Sequence, residues 1–159
     1  MLFRSVFDSA RNLIYRDYYF NGNRIGDQIF FRSKKIYKYV FSNFENRSLY
    51  EAYYDSSESV KKFGGEIINA TLYDGSKDGI QKTGVFSYFI HPPKVNVVYT
   101  IGLIEDKTNQ KKEIALIDNE RVFIDTLMNE PLPGWFYYVA ADYNDYRNNY
   151  NKVYITVLK

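Results

Sequence analysis

The stretch PLPGWFYYVAA, residues 131–141, determines the fold class that we expect for this chain. Pro131-Leu132-Pro133-Gly134 forms a rigid corner, and the run Trp135–Ala141 is rich in the aromatic residues that favour strands. Similar runs, bounded by Gly, Asn, Asp or Pro, recur at intervals of about eight to twelve residues, the spacing typical of a meander or sandwich. The pattern predicts an all-β protein.

The composition supports a sheet protein and excludes several classes of function. Of 159 residues, 17 are Tyr and 12 are Phe, an excess that suits half-buried strands and is atypical of disordered chains. The formal net charge of +2 is too small to indicate a polyanion, so a nucleic-acid partner is disfavoured. Because the chain has no Cys, disulfides, Cys–zinc sites and thiol catalysis are excluded. No apolar run has the length of a transmembrane helix.

Gly64-Gly65 is the expected boundary between two parts of the chain. Residues 1–63 predict an antiparallel β-meander with a turn at Asn21-Gly22-Asn23, because Asn and Gly tolerate positive φ. The N-terminus permits two interpretations: a short helix, or two strands joined by a turn at 8–12. Residues 64–159 predict seven strands, the number in an immunoglobulin-like β-sandwich.

Residues 65–159 resemble the immunoglobulin-like β-sandwich modules of bacterial surface and exported proteins. The resemblance rests on the corner Leu132-Pro133-Gly134, the alternating strand 135–139 and the closing strand Val153–Val157. The chain departs from the antibody pattern because it lacks the Cys pair and its only Trp follows the corner. The segment Tyr18-Tyr19-Phe20-Asn21-Gly22-Asn23 resembles a MORN-type repeat, in which paired aromatic residues precede an Asn-Gly turn. Both resemblances concern architecture, and neither supplies a functional site.

The strand at 135–141 is the first candidate binding element, because it is apolar on both faces. In a sandwich only one face of a strand belongs to the core. The other face must be covered by the N-terminal meander, which is the interpretation we favour, or by a partner or a ligand. If that face is bare, Trp135 and Tyr137 are the expected ligand-binding anchors.

The segment Asp142–Asn151 is the second candidate, expected as a loop between the last two strands. It mixes Tyr with Asn, Asp and Arg, which is typical of recognition loops. Its ligand-binding residues would be Tyr143, Tyr146 and Tyr150. A solvated loop whose tyrosines lie back on the sheet explains the same composition and is slightly favoured.

The segment Asp74–Gly79 has the first half of a calcium-binding loop. Oxygen-bearing side chains at Asp74, Ser76 and Asp78 could face one cation. An EF-hand also requires an acidic residue six positions after its glycine, and Val85 occupies that position. A looser, speculative calcium site stays open, although a plain hairpin loop is favoured because Asp and Gly are common turn residues.

The sequence contains no recognisable set of catalytic residues. His91 is the only histidine, and no residue near it in the sequence would orient it as a base. We therefore predict a non-catalytic binding or structural module that recognises glycan or protein through aromatic residues, with an extracytoplasmic location favoured. Two alternatives stay open: a hydrolase that uses two carboxylates, and an intracellular interaction protein of the immunity or inhibitor type.

Overall fold

The regular secondary structure is β-strand throughout the described part of the chain. A computed structural model describes residues 2–77, 80–117, 122–128, 133–147 and 150–158. The strands are β1 (Leu2–Phe7), β2 (Leu13–Phe20), β3 (Asn23–Arg32), β4 (Lys35–Ser42), β5 (Ser48–Tyr54), β6 (Val60–Gly65), β7 (Ile68–Lys77), β8 (Ile80–Phe89), β9 (Asn96–Glu105), β10 (Lys111–Ile117), β11 (Val122–Met128), β12 (Trp135–Asp145) and β13 (Tyr150–Leu158). The all-β prediction is confirmed. None of the described segments forms a helix with the length and hydropathy needed to cross a membrane.

The chain divides into two compact units. The first consists of residues 1–67 together with the short segments 92–95 and 145–150, and the second consists of 68–91, 96–144 and 151–159. The predicted boundary at Gly64-Gly65 lies within β6, at the end of the first sheet.

The first unit is a six-stranded antiparallel meander in the order β1-β2-β3-β4-β5-β6. Asn21 and Gly22 connect β2 to β3 with φ values of 47° and 80°. Two successive residues with positive φ match the right-handed twist of a hairpin, so the predicted Asn-Gly turn is confirmed.

The helical interpretation of the N-terminus is wrong, and the alternative of two strands is confirmed. Leu2–Phe7 pairs antiparallel with Leu13–Phe20. Asp8 closes the turn between them, because its carboxylate accepts a hydrogen bond from the backbone N–H of Asn12 at 2.7 Å. Such Asp side chains compete with helical hydrogen bonds, and the aromatic residues on either side favour strand.

The core of the first unit lies on the face of the sheet that carries Tyr39, Phe41 and Tyr50, all of which are buried. The ring of Tyr50 stacks on that of Phe63, with 6.0 Å between centroids. The hydroxyl of Tyr39 donates a hydrogen bond of 2.6 Å to the buried carboxylate of Asp27. That bond satisfies a charge that would otherwise be costly to bury.

The described residues of the second unit form seven strands in two antiparallel sheets. One sheet has the order β10-β9-β12-β13, and the other has the order β11-β8-β7. The predicted turn at 74–79 is shorter than expected, because β7 continues to Lys77, which pairs with Ile80.

The core of the second unit is formed by one face of β9 and β12. Val139 is opposite Ile101, Ala141 is opposite Tyr99, and all four are buried. The hydroxyl of Tyr99 accepts a hydrogen bond from the backbone N–H of Ile90 at 2.9 Å and donates one to the carbonyl oxygen of Ile90 at 2.8 Å. Burial raises the pKa of Tyr99, so the phenol stays protonated and able to donate.

Candidate binding surface

The predicted anchors Trp135 and Tyr137 lie on the face of β12 that carries the core residue Val139. Tyr137 is buried and Trp135 is half-buried. Tyr137 was expected to bind a ligand only if its face were bare, and its burial does not meet that condition. It shares a face with Val139 because residues two apart in a strand point the same way.

The opposite face of β12 carries Phe136, Tyr138 and Ala140. Tyr138 on that face is also buried. The ammonium group of Lys111 lies 5.5 Å from the centroid of the Tyr138 ring, and Tyr138 is opposite Gly102, which leaves room for the ring. Lys111 belongs to β10, which is separated from β12 by β9 in the same sheet, and burial raises the pKa of Tyr138.

The predicted recognition loop is shorter than expected, because β12 runs to Asp145 and β13 begins at Tyr150. Tyr143 belongs to β12 and is buried, with its ring centroid 6.3 Å from that of Tyr154. Tyr146 is 71% exposed. Tyr150 is half-buried, with its ring 5.9 Å from that of Phe63. Tyr143 is therefore a core residue, and ligand binding by Tyr146 and Tyr150 stays a prediction.

The calcium hypothesis falls largely on residues outside the described part of the chain. Asp78 lies outside the described residues, and so do the side chains of Asp74 and Ser76. The backbones of Asp74 and Ser76 belong to β7. Within the described residues, no group of three His, Asp or Glu side chains is arranged to hold a metal ion. His91 lies edge-on to Tyr99, with 5.4 Å between ring centroids.

One face of the six-stranded sheet carries alternating rings and cations that the sequence reasoning missed. Tyr15 pairs with Phe30, Phe30 with Lys38, Lys38 with Tyr53, and Tyr53 with Lys62. Residues directly opposite each other on antiparallel strands share a face, so these five side chains form one row across five strands. All are half-buried except Lys62, which is exposed.

A second cluster lies on the same face, where Arg4 of β1 is opposite Asp17 of β2. The guanidinium groups of Arg4 and Arg24 lie 3.1 and 3.4 Å from the buried carboxylate of Asp17. The hydroxyl of Tyr19 accepts hydrogen bonds from both arginines and donates one of 3.1 Å to Asp17. The hydrogen bond to Asp17 raises the pKa of Arg4, and the one to Tyr19 raises that of Arg24.

The cations of this face lie over its rings. Arg4 is 5.2 Å from the ring centroid of Tyr15 and 4.8 Å from that of Tyr19, and Lys38 is 4.9 Å from that of Tyr53. We name this surface the cation–ring face and define it by Arg4, Tyr15, Tyr19, Arg24, Phe30, Lys38, Tyr53 and Lys62.

The charges of the cation–ring face are predominantly positive at its surface. Of the two carboxylates beside its four cations, that of Asp17 is buried, and that of Glu51 pairs with Lys38 at 3.1 Å. The hydrogen bond to Tyr53 and then the contact with Glu51 raise the pKa of Lys38, and the contact with Lys38 lowers that of Glu51. The surface can stack on flat apolar groups and pair with anions.

Comparison with known proteins adds no relative. Neither the known protein families nor the curated protein sequences contain a match to this chain. The likeness to immunoglobulin-like and MORN-type modules therefore stays a prediction.

Proposed function

We propose that this protein is a non-catalytic binding module that recognises a glycan or a protein through aromatic residues, and that the cation–ring face is its recognition surface. The observation that carries the proposal is the row of Tyr15, Phe30, Lys38, Tyr53 and Lys62 across five strands. A row on paired strands is rigid, so it offers its rings without a large loss of side-chain entropy.

The chemistry of the row favours a glycan with acidic groups over a protein ligand. Rings stack on the apolar faces of sugars, and the ammonium groups of Lys38 and Lys62 can pair with carboxylate or sulfate groups. With strands about 4.8 Å apart, the row extends for about 19 Å, enough for several sugar rings. The same proposal includes the extracytoplasmic location predicted from the sequence.

The test is a calorimetric titration with a sulfated oligosaccharide, an oligogalacturonide and a neutral cello-oligosaccharide of equal length. We expect the acidic glycans to bind more tightly than the neutral one, with an affinity that falls as salt is added. The double substitution Lys38→Gln and Lys62→Gln should weaken acidic-glycan binding about tenfold, since each exposed ion pair contributes about 0.5–1 kcal/mol. Tyr15→Leu should weaken binding of acidic and neutral glycans alike, because it removes a stacking ring.

The matched control is the double substitution Lys111→Gln and Lys112→Gln in β10, which removes the same charge from the second unit. It should leave glycan affinity unchanged if the cation–ring face is the binding site. Absence of binding by all three glycans refutes the glycan form of the proposal, and equal losses in the two double variants refute the assignment of the site.

We also propose that the second unit is an immunoglobulin-like sandwich. Its seven strands in sheets of four and three support this, as does the contact between Phe89 of β8 and Tyr99 of β9, whose ring centroids are 4.6 Å apart. In constant-type domains the fourth strand pairs with the fifth, whereas here the fourth, β10, pairs with the third, β9. Nuclear Overhauser contacts between buried side chains of β8 and β12 would support two facing sheets, and their absence would contradict them.

A further inference from the structure

Strand β13 is the last strand in the order β10-β9-β12-β13, so it pairs with β12 on one side and forms the edge of its sheet on the other. It has nine residues, and between Asn151 and Leu158 it contains neither Pro nor Gly. An edge strand presents a row of backbone N–H and C=O groups that can pair with another strand.

Three other edge strands carry features that discourage such pairing. Strand β10 has exposed charges at Lys111, Lys112 and Glu113 and an irregularity in its register directly after them. Strand β1 carries Arg4 and has a register irregularity near its end, and β6 carries two exposed lysines. Charged side chains and bulges are the usual protection of an edge against pairing with another molecule.

The described residues of strand β13 lack comparable protection. Its outward row consists of three β-branched residues, Val153, Ile155 and Val157, which are 55%, 46% and 38% exposed. Its inward row includes Tyr154 and the buried Leu158. Its one described charge is Lys152, near the start of the strand, and the ammonium group lies 4.6 Å from the ring centroid of Tyr154.

The sequence of β13 is complementary to itself in antiparallel pairing. With Tyr154 on a two-fold axis, Val153 is opposite the partner's Ile155, and the reciprocal pair repeats this contact. Lys152 is opposite the partner's Thr156, so the two lysines are about 13 Å apart along the strands and do not repel strongly. Pairs of β-branched residues at opposed positions stabilise antiparallel sheets.

We propose that this chain forms a two-fold symmetric dimer in which β13 pairs with β13 of a second copy and joins two four-stranded sheets into one of eight strands. The interface is isologous and closed, so it gives dimers rather than fibres. It is also small, because it consists of one strand from each copy and its outward row. We therefore expect a dimer whose population rises with protein concentration.

The experiment is sedimentation velocity of the whole chain over a hundredfold range of concentration. The wild-type protein should shift from the 18.8 kDa chain mass towards twice that mass. Ile155→Lys places a charge in the centre of the outward row and should raise the dimer dissociation constant more than tenfold. The exposure of Ile155 makes this change compatible with folding, which circular dichroism would verify.

Leu116→Lys is the matched control, because Leu116 is also exposed but belongs to β10 at the opposite edge. It should leave the dissociation constant of the dimer unchanged. A wild-type protein that stays monomeric at every concentration overturns the proposal. A dimer that Ile155→Lys leaves intact, or that both variants weaken equally, overturns it as well, since the contact is then elsewhere.

Discussion

Replacing Tyr99 with Phe deletes one hydroxyl and keeps the ring in place. That hydroxyl makes two hydrogen bonds to Ile90, one to the N–H and one to the carbonyl oxygen, and both residues are fully buried. A buried polar group left without its partner costs about 1–3 kcal/mol. Since two groups lose their partner, we expect the free energy of unfolding of the second unit to fall by about 2–6 kcal/mol.

The measurement is urea unfolding followed by tryptophan fluorescence. Trp135 is the only Trp of the chain and belongs to the same unit as Tyr99, so its emission reports on that unit. With a urea dependence of about 2 kcal/mol per molar, the expected loss lowers the midpoint by about 1–3 M. The slope should not change, because the substitution leaves the exposed surface of the unfolded state nearly the same.

Tyr146→Phe is the control for Tyr99→Phe, because it deletes the same hydroxyl from an exposed ring. Since Tyr146 belongs to the first unit, the unfolding of both variants is also followed by circular dichroism, which reports on both units. It should change the free energy of unfolding by less than about 0.5 kcal/mol. Tyr99→Phe keeps the aromatic ring and its contact with Phe89, so a large loss of unfolding free energy would come from the hydroxyl. If the two variants unfold at the same urea concentration, the hydrogen bonds of Tyr99 do not stabilise the unit and the reasoning is refuted.

Three further changes test the first unit. Gly65→Ala forces a Cβ against a backbone carbonyl oxygen at a φ of 91°, so it should lower Tm by several degrees more than Gly22→Ala, which has open space at a φ of 80°. Asp17→Asn removes the carboxylate shared by two half-exposed arginines. It should lower the free energy of unfolding, measured by urea denaturation, by about 1–3 kcal/mol. The hydroxyl of Ser57 lowers the pKa of Asp55, so this carboxylate stabilises the fold above about pH 4 and loses that effect as pH falls through its folded pKa. Asp55→Asn should flatten the decline of Tm in acid.

The strands could be predicted from the sequence wherever local chemistry defines them. Asn21-Gly22 is one such position, because few residues accept two consecutive positive φ values. The C-terminal end of β12 was predicted less well, because we expected it at Ala141 and the strand ends at Asp145. Asp142 and Asn144 are typical of turns, but they alternate with Ala141 and Tyr143, which point into the core. Side chains continue to alternate between the two faces of the strand through these polar residues. The composition of the segment predicts a loop instead, so the alternation was missed.

The cation–ring face could not be predicted from one strand at a time. Its row joins Tyr15 to Lys62, residues that are far apart in the sequence and are brought into line by four pairings. Register irregularities within those pairings, such as the one between Phe30 and Phe31, decide which side chains stand opposite each other. A shift of one residue would move every ring to the opposite face, and composition contains no information about such shifts.

The two proposed surfaces belong to different units and depend on different chemistry, so each can fail without the other. The cation–ring face needs charge and open rings, whereas β13 needs an apolar strand free of charge in its outward row. If both are correct, each dimer carries two recognition faces, and an acidic polymer long enough to reach from one face to the other binds to both. Linking two sites in this way strengthens binding without any new contact, provided that the polymer spans them. Ile155→Lys weakens the dimer, so the ratio of polymer affinity to oligosaccharide affinity should be lower for this variant than for the wild-type protein. The affinity of the variant for the oligosaccharide should equal that of the wild type.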